Sequence, residues 1–327
     1  MKSAMIIGTG AYVPDEVITN DYLEGLVDTS DEWIKTRTGI SERRRAASDA
    51  AVSDLAFPAS LQALEAAKVA PEELDLIVVA TITPDTYCPS AACWLQSRLG
   101  AKRAFAFDVN AACSGFVYGL CVADQFIRSG SVQRALFVGA EIMTRVVNWK
   151  DRATCVLWGD GAGAVVLAPS ENGRGILSSH LYSDGSNGET LTVAGGGSRV
   201  TPINRETVDQ DLHTLKMNGQ DTFKFAVRAF TEVCAEALQH NHLTAEEIDL
   251  FIPHQANIRI IDAAVKRLHL SKEQVMLTIH KYGNTSSASI PVALDEAVRE
   301  GRIHPGDTLL LAAFGGGLTW GATVLIL

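Results

Sequence analysis

No stretch of the 327-residue chain approaches the roughly 18 consecutive apolar residues that suggest a bilayer-spanning helix, so no membrane association is expected. The opening Met1-Lys2-Ser3-Ala4-Met5-Ile6-Ile7-Gly8 has too few apolar residues for a signal peptide. Cysteine is scarce. Six in the whole chain, with no CxxC pair and no exported start, fit reduced thiols and a cytoplasmic location. There is no HExxH motif, and the eight histidines are scattered apart from His240 and His242, which read as a helix-end turn; no metal site is expected. Positive charge is also short, with 28 Lys and Arg against 38 Asp and Glu, a formal −10. That balance argues against a nucleic-acid partner, which usually needs a basic face. Gly8-Thr9-Gly10 begins like a dinucleotide fingerprint, but Val13 stands at the third glycine position and Pro14 breaks the helix the motif requires. A nucleotide-dependent oxidoreductase is set aside on that ground. What remains is 47% apolar and 20% charged, the charges spread along the chain, which is the composition of a folded protein with a sizeable core.

Short Val/Ile/Leu-rich runs alternate with helical patterns. The runs are Leu76–Ala80, 104–109, 135–139, 164–168, Leu250–Pro253, 308–312 and 322–327. Strands this uniformly apolar are covered on both faces. Helices are expected between them at 54–67, 114–129, 223–240, Ile258–Leu268 and 287–300, which makes the chain α/β. Segments also recur at a fixed offset. Pro71-Glu72-Glu73-Leu74-Asp75-Leu76 matches Ala245-Glu246-Glu247-Ile248-Asp249-Leu250, at 245 − 71 = 174. Arg128-Ser129-Gly130-Ser131-Val132 matches Arg299-Glu300-Gly301-Arg302-Ile303, at 299 − 128 = 171. Two related halves, 1–173 and 174–327, are expected in one packed unit. The stretch 183–214, rich in Gly, Ser, Thr and Asn, reads as a long loop inserted early in the second half.

Adding 171 to Cys113 gives Asn284, and both lie in small-residue turns between a strand and a helix, so a pseudo-twofold axis could bring the two turns together. Cys113 opens a helix, where partial positive charge and free N–H groups favour a thiolate. A free Cys is more often a buried packing residue, as Cys121, Cys155 and Cys234 read here; the turn context raises Cys113 to equal standing as a nucleophile. His254 ends an apolar strand, where ligands of α/β sheets gather, although a lone His there is more often structural. Asn284 alone would be read as a cap or turn residue. Gly315-Gly316-Gly317 can approach a ligand closely and aim N–H groups at an oxyanion, or can simply form a flexible turn.

Taken together, the motifs resemble one family. They are Asp28-Thr29-Ser30-Asp31-Glu32-Trp33-Ile34, Arg37-Thr38-Gly39-Ile40, Pro89-Ser90-Ala91-Ala92-Cys93, Ala111-Ala112-Cys113-Ser114-Gly115-Phe116, Gly159-Asp160-Gly161-Ala162-Gly163, Pro253-His254-Gln255-Ala256-Asn257, Gly283-Asn284-Thr285-Ser286 and Phe314-Gly315-Gly316-Gly317. In order and over nearly the whole chain, they are similar to β-ketoacyl-[acyl-carrier-protein] synthase III. The resemblance implies the thiolase fold, two βαβαβαββ halves in five α-β-α-β-α layers, and a homodimer. It implies no cofactor, because the CoA thioester is a substrate. It makes Cys113 the nucleophile toward an acyl-CoA, with the backbone N–H groups of Cys113 and Gly316 as oxyanion hole. His254 and Asn284 would then donate to the thioester carbonyl of malonyl-acyl-carrier protein as it loses carbon dioxide. Trp33 and Arg152 would clamp the adenine of CoA. Thr29, Arg37, Gly219, Asn257 and Gln220 (where the family usually has Asn) would lie along the tunnel, and Leu157 and Phe223 would wall it.

Two further expectations concern partners. The helix after Asn257 carries Arg259, Lys266 and Arg267 away from its apolar stripe, with Lys224 nearby, a candidate docking patch for an acidic carrier protein. Tyr87 and Cys88 precede the Pro89 motif, which in the family ends the acyl pocket near the dimer contact; Cys88 in place of Phe would lengthen that pocket. Among alternatives, a secondary-metabolite starter synthase or a non-decarboxylating acyltransferase shares the Cys113, His254 and Asn284 set. A hydroxymethylglutaryl-CoA synthase would want a Glu in an active-site turn, and a degradative thiolase a second Cys near 314–318; neither is present. A non-catalytic acyl-binding protein would need no nucleophile.

Overall fold

The computed structural model describes residues 3–170, 173–200 and 203–327. Five strands form the first sheet: β1 (Ser3–Tyr12), β2 (Leu76–Ala80), β3 (Phe105–Val109), β4 (Ala135–Ile142) and β5 (Asp160–Ser170), in spatial order β1-β5-β4-β2-β3. Four form the second: β6 (Gly175–Ser183), β7 (Leu250–Pro253), β8 (Thr308–Gly315) and β9 (Thr319–Ile326), in order β6-β9-β8-β7. The pairings repeat. β1 with β5 and β5 with β4 are antiparallel, as are β6 with β9 and β9 with β8. β4 with β2 and β2 with β3 are parallel, as are β8 with β7 and the single bridge of Phe251 to Val275 where a fifth strand would lie. The second half thus copies the first with its last edge strand reduced to one residue pair.

Alternation along the strands builds three apolar layers, because successive side chains point to opposite faces. On β2, Leu76, Val78 and Ala80 face the middle of the molecule while Ile77 and Val79 face outward. On β8, Leu309, Leu311 and Ala313 face the middle, and Leu310, Ala312 and Phe314 face the other way. The middle layer is filled by two helices, α2 (Gly115–Arg128) and α5 (Ser289–Arg299). They contribute Phe116, Leu120 and Ile127, and Ile290, Leu294 and Ala297, all fully buried. Phe116 stacks on Phe137 of β4 with ring centroids 5.0 Å apart. Outside the first sheet lies α1 (Val52–Ala67); outside the second lie α3 (Gly219–His240) and α4 (Ile258–Leu268). The result is the five-layer thiolase fold.

The expected runs at Leu76–Ala80, Leu250–Pro253 and Ile258–Leu268 coincide with the elements. The stretch 183–214 is not one loop. Its Leu191–Val193 pairs antiparallel with Leu215–Met217 just beyond it, and this ribbon packs on the cluster that includes Cys113 and Trp158. The expected equivalence of Cys113 with Asn284 is corrected. The helical turns Ala112–Ser114 and Ser286–Ala288 correspond at 286 − 112 = 174, so Cys113 matches Ser287, and Asn284 matches Asn110. The offset falls to 171 only beyond the central helices, because α5 has 11 residues where α2 has 14.

Candidate active site

The chain leaves β3 at Val109, turns through Asn110 and Ala111, and enters α2 by a single 3-10 turn at Ala112–Ser114. The Ala112 N–H donates to Asn110 Oδ1 at 3.3 Å, and Ala112 takes a left-handed φ of 47°. This sets Cys113 at the head of α2, buried to 5% exposure. Two glycines make room for it. A Cβ on Gly315 would lie 2.7 Å from the Cys113 nitrogen, and one on Gly115 would lie 3.0 Å from the Cβ of Ala80. The close approach of Gly315 brings the β8 end, and Gly316 after it, to the Cys113 backbone.

The thiol departs from expectation. A helix N-terminus favours the thiolate, yet burial outweighs it and pushes the Cys113 thiol up to about 12. The Ser286 hydroxyl and the Cys113 N–H act downward, and the Glu141 carboxylate acts upward.

His254 follows β7 and is anchored by its own N–H to the Ala312 carbonyl at 2.8 Å. Its ring is fully enclosed, and burial holds its pKa down to about 3, so it is neutral. Nδ1 lies 2.6 Å from Ser289 Oγ. Because Ser289 Oγ accepts from the Gln255 N–H at 3.4 Å, its own proton is available to Nδ1, which leaves the imidazole proton on Nε2. Asn284 is held on three sides. Its N–H donates to the Leu157 carbonyl at 2.8 Å, its carbonyl accepts from Gly159 N–H at 3.0 Å, and Oδ1 accepts from Ser286 N–H at 2.8 Å. With Oδ1 committed, the free end of the amide is the donor Nδ2.

Cys113 stands between two cavities. One, of about 350 Å³, is lined by Ile82, Ala112, Met143, Val193, Ser286 and Gly316 among others. The second, narrower at about 90 Å³, brings Cys113 together with His254, Asn284, Leu157, Gly219, Phe223 and Asn257. Trp158 and Leu191 border both. Farther out, Arg37 and Arg152 both stack on Trp33, at 5.2 and 5.1 Å from its ring centroid. Asn257 Nδ2 donates to the Arg37 carbonyl at 3.1 Å, tying that corner to the second cavity. Thr29 lies on the same corner, its buried hydroxyl without a hydrogen-bond partner. Gln220 borders neither cavity. Arg259, Lys266, Arg267 and Lys224 are exposed, and the Arg259 guanidinium lies 5.2 Å over the ring of Phe223, which walls the second cavity.

Tyr87 and Cys88 are not brought to Cys113. Tyr87 is 82% exposed and borders a separate surface hollow with Ile142, Val193 and Ile203. Within one chain neither residue closes the 350 Å³ cavity. Among the described residues no cluster of three or more metal-ligating side chains occurs; the His240 ring packs on His180 at 5.0 Å. Among the described residues no helix is long and apolar enough to cross a membrane.

Sequence reasoning passed over two buried groups. Gln255 accepts from the Thr278 and Ile279 N–H groups at 2.9 and 3.0 Å and donates to the Pro253 and Met276 carbonyls, welding the His254 turn to the segment that leads to Asn284. Glu141, next to last in β4, is fully buried and outside any turn. Its carboxylate accepts from Ile82 N–H and from the hydroxyls of Thr81, Thr83, Ser286 and Ser287. A Glu inside an apolar strand is the one signal that could have marked it.

Two like halves in five α-β-α-β-α layers, with a cysteine at the head of a central helix, define the class by its fold, the thiolase-fold proteins; the fold alone does not give the chemistry. The particular family follows from comparison. Residues 107–185 match the family 3-oxoacyl-[acyl-carrier-protein (ACP)] synthase III, and residues 238–327 match the C-terminal family of the same enzyme. The β-ketoacyl-[acyl-carrier-protein] synthase III of Alkalilimnicola ehrlichii is 56% identical over 326 residues, covering 99% of both chains. The solved 3-oxoacyl-[acyl-carrier-protein] synthase III of Aquifex aeolicus superposes with a TM-score of 0.91 at 49% identity, covering 99% of this chain and 100% of the other. A priming β-ketosynthase of a polyketide biosynthetic pathway superposes with a TM-score of 0.92 at 36% identity, covering 99% and 96%. The chain belongs to the β-ketoacyl-[acyl-carrier-protein] synthase III family, the condensing enzymes that start fatty-acid chains.

Proposed function

We propose that the enzyme condenses an acyl-CoA primer with malonyl-acyl-carrier protein through an acyl-Cys113 intermediate, releasing CoA and carbon dioxide. The observation that carries this reading is the position of Cys113 between a cavity for an acyl chain and a cavity holding two neutral donors. Cys113 attacks the thioester carbonyl of the primer, and the N–H groups of Cys113 and Gly316 receive the oxyanion. CoA leaves along the second cavity. Malonyl-carrier protein then takes its place, with its thioester carbonyl on His254 Nε2–H and Asn284 Nδ2–H. As the malonyl carboxylate departs as carbon dioxide, the electron pair moves into an enolate whose oxygen those donors stabilise. The enolate carbon attacks the acyl group, and the Cys113–acyl bond breaks. A neutral His254 supports donation rather than proton abstraction.

Trp33 and Arg152 bind the CoA adenine, with Thr29, Arg37, Gly219 and Asn257 along the pantetheine path and Leu157 and Phe223 as its walls; Gln220, exposed and bordering neither cavity, has no place in it. No cofactor takes part. Arg259, Lys266, Arg267 and Lys224 receive the acidic carrier protein, and Arg259 over Phe223 supports a docking site at the mouth of the path. A cytoplasmic homodimer completes the reading; the exposed Tyr87 ring and Cys88 reach an acyl pocket only across such a contact. Incubation with radiolabelled acetyl-CoA followed by malonyl-carrier protein tests the whole. Label should reside on Cys113 and chase into a β-ketoacyl product; label retained after malonyl addition would refute condensation.

A second reading is a starter synthase of secondary metabolism, favoured by the 36% identity to the priming β-ketosynthase. A panel of acyl-CoA primers read by mass spectrometry separates the two through the chains each enzyme would accept.

A further inference from the structure

Each of the two central turns is fastened to the sheet it does not come from. The turn of Cys113 lies between β3 and β4 of the first sheet, and its side-chain fastening is Thr319, which opens β9 of the second. The Thr319 hydroxyl donates to the Ala111 carbonyl at 2.8 Å, and the Ser114 hydroxyl donates to the Thr319 carbonyl at 3.0 Å. Ala111 and Ser114, on either side of Cys113, are thus tied to one threonine. The same Thr319 hydroxyl lies 3.0 Å from the Gly316 carbonyl. Thr319 therefore touches both stretches of backbone whose N–H groups are proposed to receive the oxyanion.

The turn of Asn284 lies between β7 and β8 of the second sheet and is fastened to the first. Glu141, buried in β4, divides its carboxylate between two neighbours. Oε2 accepts from Ile82 N–H at 3.0 Å and from the Thr83 and Thr81 hydroxyls at 2.7 and 3.1 Å, all in the segment that continues β2. Oε1 accepts from the Ser286 and Ser287 hydroxyls, each at 3.0 Å. Ser286 is the residue whose N–H holds Asn284 Oδ1 at 2.8 Å, which leaves Nδ2 as the free end of that amide. The Ser287 hydroxyl also reaches the carbonyl of Ala80, the last residue of β2, at 2.8 Å. Neither Glu141 nor Thr319 borders either cavity, so neither is placed to touch a substrate. Catalytic groups must be held within about 0.5 Å of their productive positions, and packed strands hold them better than a turn alone.

We propose that Thr319 and Glu141 are positioning residues with separate duties. Thr319 sets Cys113 and the oxyanion N–H groups for acyl transfer. Glu141 sets the Asn284 amide for decarboxylation. The assignment rests on the reading of Cys113 as nucleophile and Asn284 as enolate donor.

Conservative variants separate the two. Thr319→Val keeps the branched shape and deletes the hydroxyl, while Thr319→Ser keeps the hydroxyl. Glu141→Gln keeps the volume. Ile82 N–H requires an acceptor, so the glutamine oxygen must stay beside it, and the amide nitrogen then faces the two serines, where it can only donate. The two donations that draw the Asn284 turn onto the first sheet are lost. The experiment reads the half-reactions separately in the full-length enzyme: acetylation of Cys113 by acetyl-CoA, followed by mass spectrometry, and release of labelled carbon dioxide from malonyl-carrier protein. Thr319→Val should slow acetylation about tenfold or more and leave carbon dioxide release within about twofold of the parent, and Thr319→Ser should restore acetylation. Glu141→Gln should show the reverse split, with carbon dioxide release slowed about tenfold or more and acetylation preserved. Adding Ser287→Ala to Glu141→Gln should cost little further, because both act through one contact. Should Glu141→Gln not fold, Ser287→Ala alone should slow carbon dioxide release and spare acetylation. Thr319→Val or Glu141→Gln lowering both half-reactions by the same factor, or leaving both at the parent rate, overturns the assignment, since a bond that serves only the fold weakens both steps together. A parent enzyme that takes no acetyl label on Cys113, or releases no carbon dioxide, overturns the condensation reading itself and the assignment with it, before any variant is made.

Discussion

The turn that carries Cys113 and the turn that carries Asn284 are two castings of one backbone. In each, an Asn side chain accepts from the N–H two residues on, at 3.3 Å for Asn110 and 2.8 Å for Asn284. In each, that second residue is left-handed and a single 3-10 turn leads into a central helix. In the proposed mechanism the chemistry is distributed differently. The first turn uses its fourth position, Cys113, and leaves Asn110 exposed; the second uses its first position, Asn284, and gives its fourth, Ser287, to the Ala80 carbonyl and Glu141. Repetition of the fold places two helix heads at one centre, and in the proposed mechanism one carries the nucleophile and the other a donor.

The sharpest break in this comparison is Cys113→Ala, which should reduce acylation and condensation by at least about 10³-fold, read by radiolabel incorporation and product formation. Substantial condensation by that variant would sink the mechanism. His254→Ala and Asn284→Ala should each lower malonyl decarboxylation by about 10²–10³-fold while the first half-reaction, acetyl transfer to Cys113, largely survives. Either variant decarboxylating at the parent rate would remove that residue from its role.

Much of this frame was legible in the sequence, and the failures have causes. Leu76–Ala80 and Leu250–Pro253 were readable because strands covered on both faces are apolar throughout. Ile258–Leu268 was readable because Asn257 caps it, accepting from Arg259 N–H at 2.9 Å, and its apolar spacing follows the helix. The edge strands β1 and β6 lacked such a signature, with residues such as Gly8, Gly10 and Ser178 in them. The wrong partner for Cys113 arose from three residues missing inside α5, which no turn motif reveals. The thiol's raised pKa was illegible because desolvation depends on everything that surrounds a residue. Glu141 was passed over because its partners come from the 81–83 segment and from the 286–287 turn, far apart in the chain.

Smaller effects sharpen the same contrast. The buried His254 has a folded pKa near 3 against an ordinary 6.5, so the unfolded chain binds more protons between those values. Its contribution to stability is present above about 6.5 and is lost as pH falls, by up to about 1.4 kcal/mol per unit. Denaturant titrations of the parent and His254→Gln should show the parent losing stability faster on acidification; equal slopes would show that His254 does not resist protonation.

At the rim, Arg259→Glu should slow turnover with malonyl-carrier protein several-fold at low salt and leave acetyl-CoA acylation intact, with the difference shrinking as salt rises. Equal loss in both half-reactions would count against docking. The smallest change expected is from Cys88→Phe, which should shift primer preference from hexanoyl- and octanoyl-CoA toward acetyl-CoA. Each methylene excluded would cost about 0.8 kcal/mol of binding. An unchanged chain-length profile would show that Cys88 does not bound the acyl pocket.

The ribbon of Leu191–Val193 and Leu215–Met217 has a consequence for how such an enzyme can vary. It roofs both cavities through Leu191 and belongs to neither large sheet; its twin in the first half, the antiparallel ribbon of Glu16–Thr19 with Glu42–Arg45, borders neither cavity. Leu191, Val193, Leu215 and Met217 pack on the cluster around Cys113, Leu157 and Trp158 rather than into either sheet, so changes there reach the site first. Grafting the 185–217 segment between relatives should therefore move substrate preference while the melting temperature stays with the scaffold.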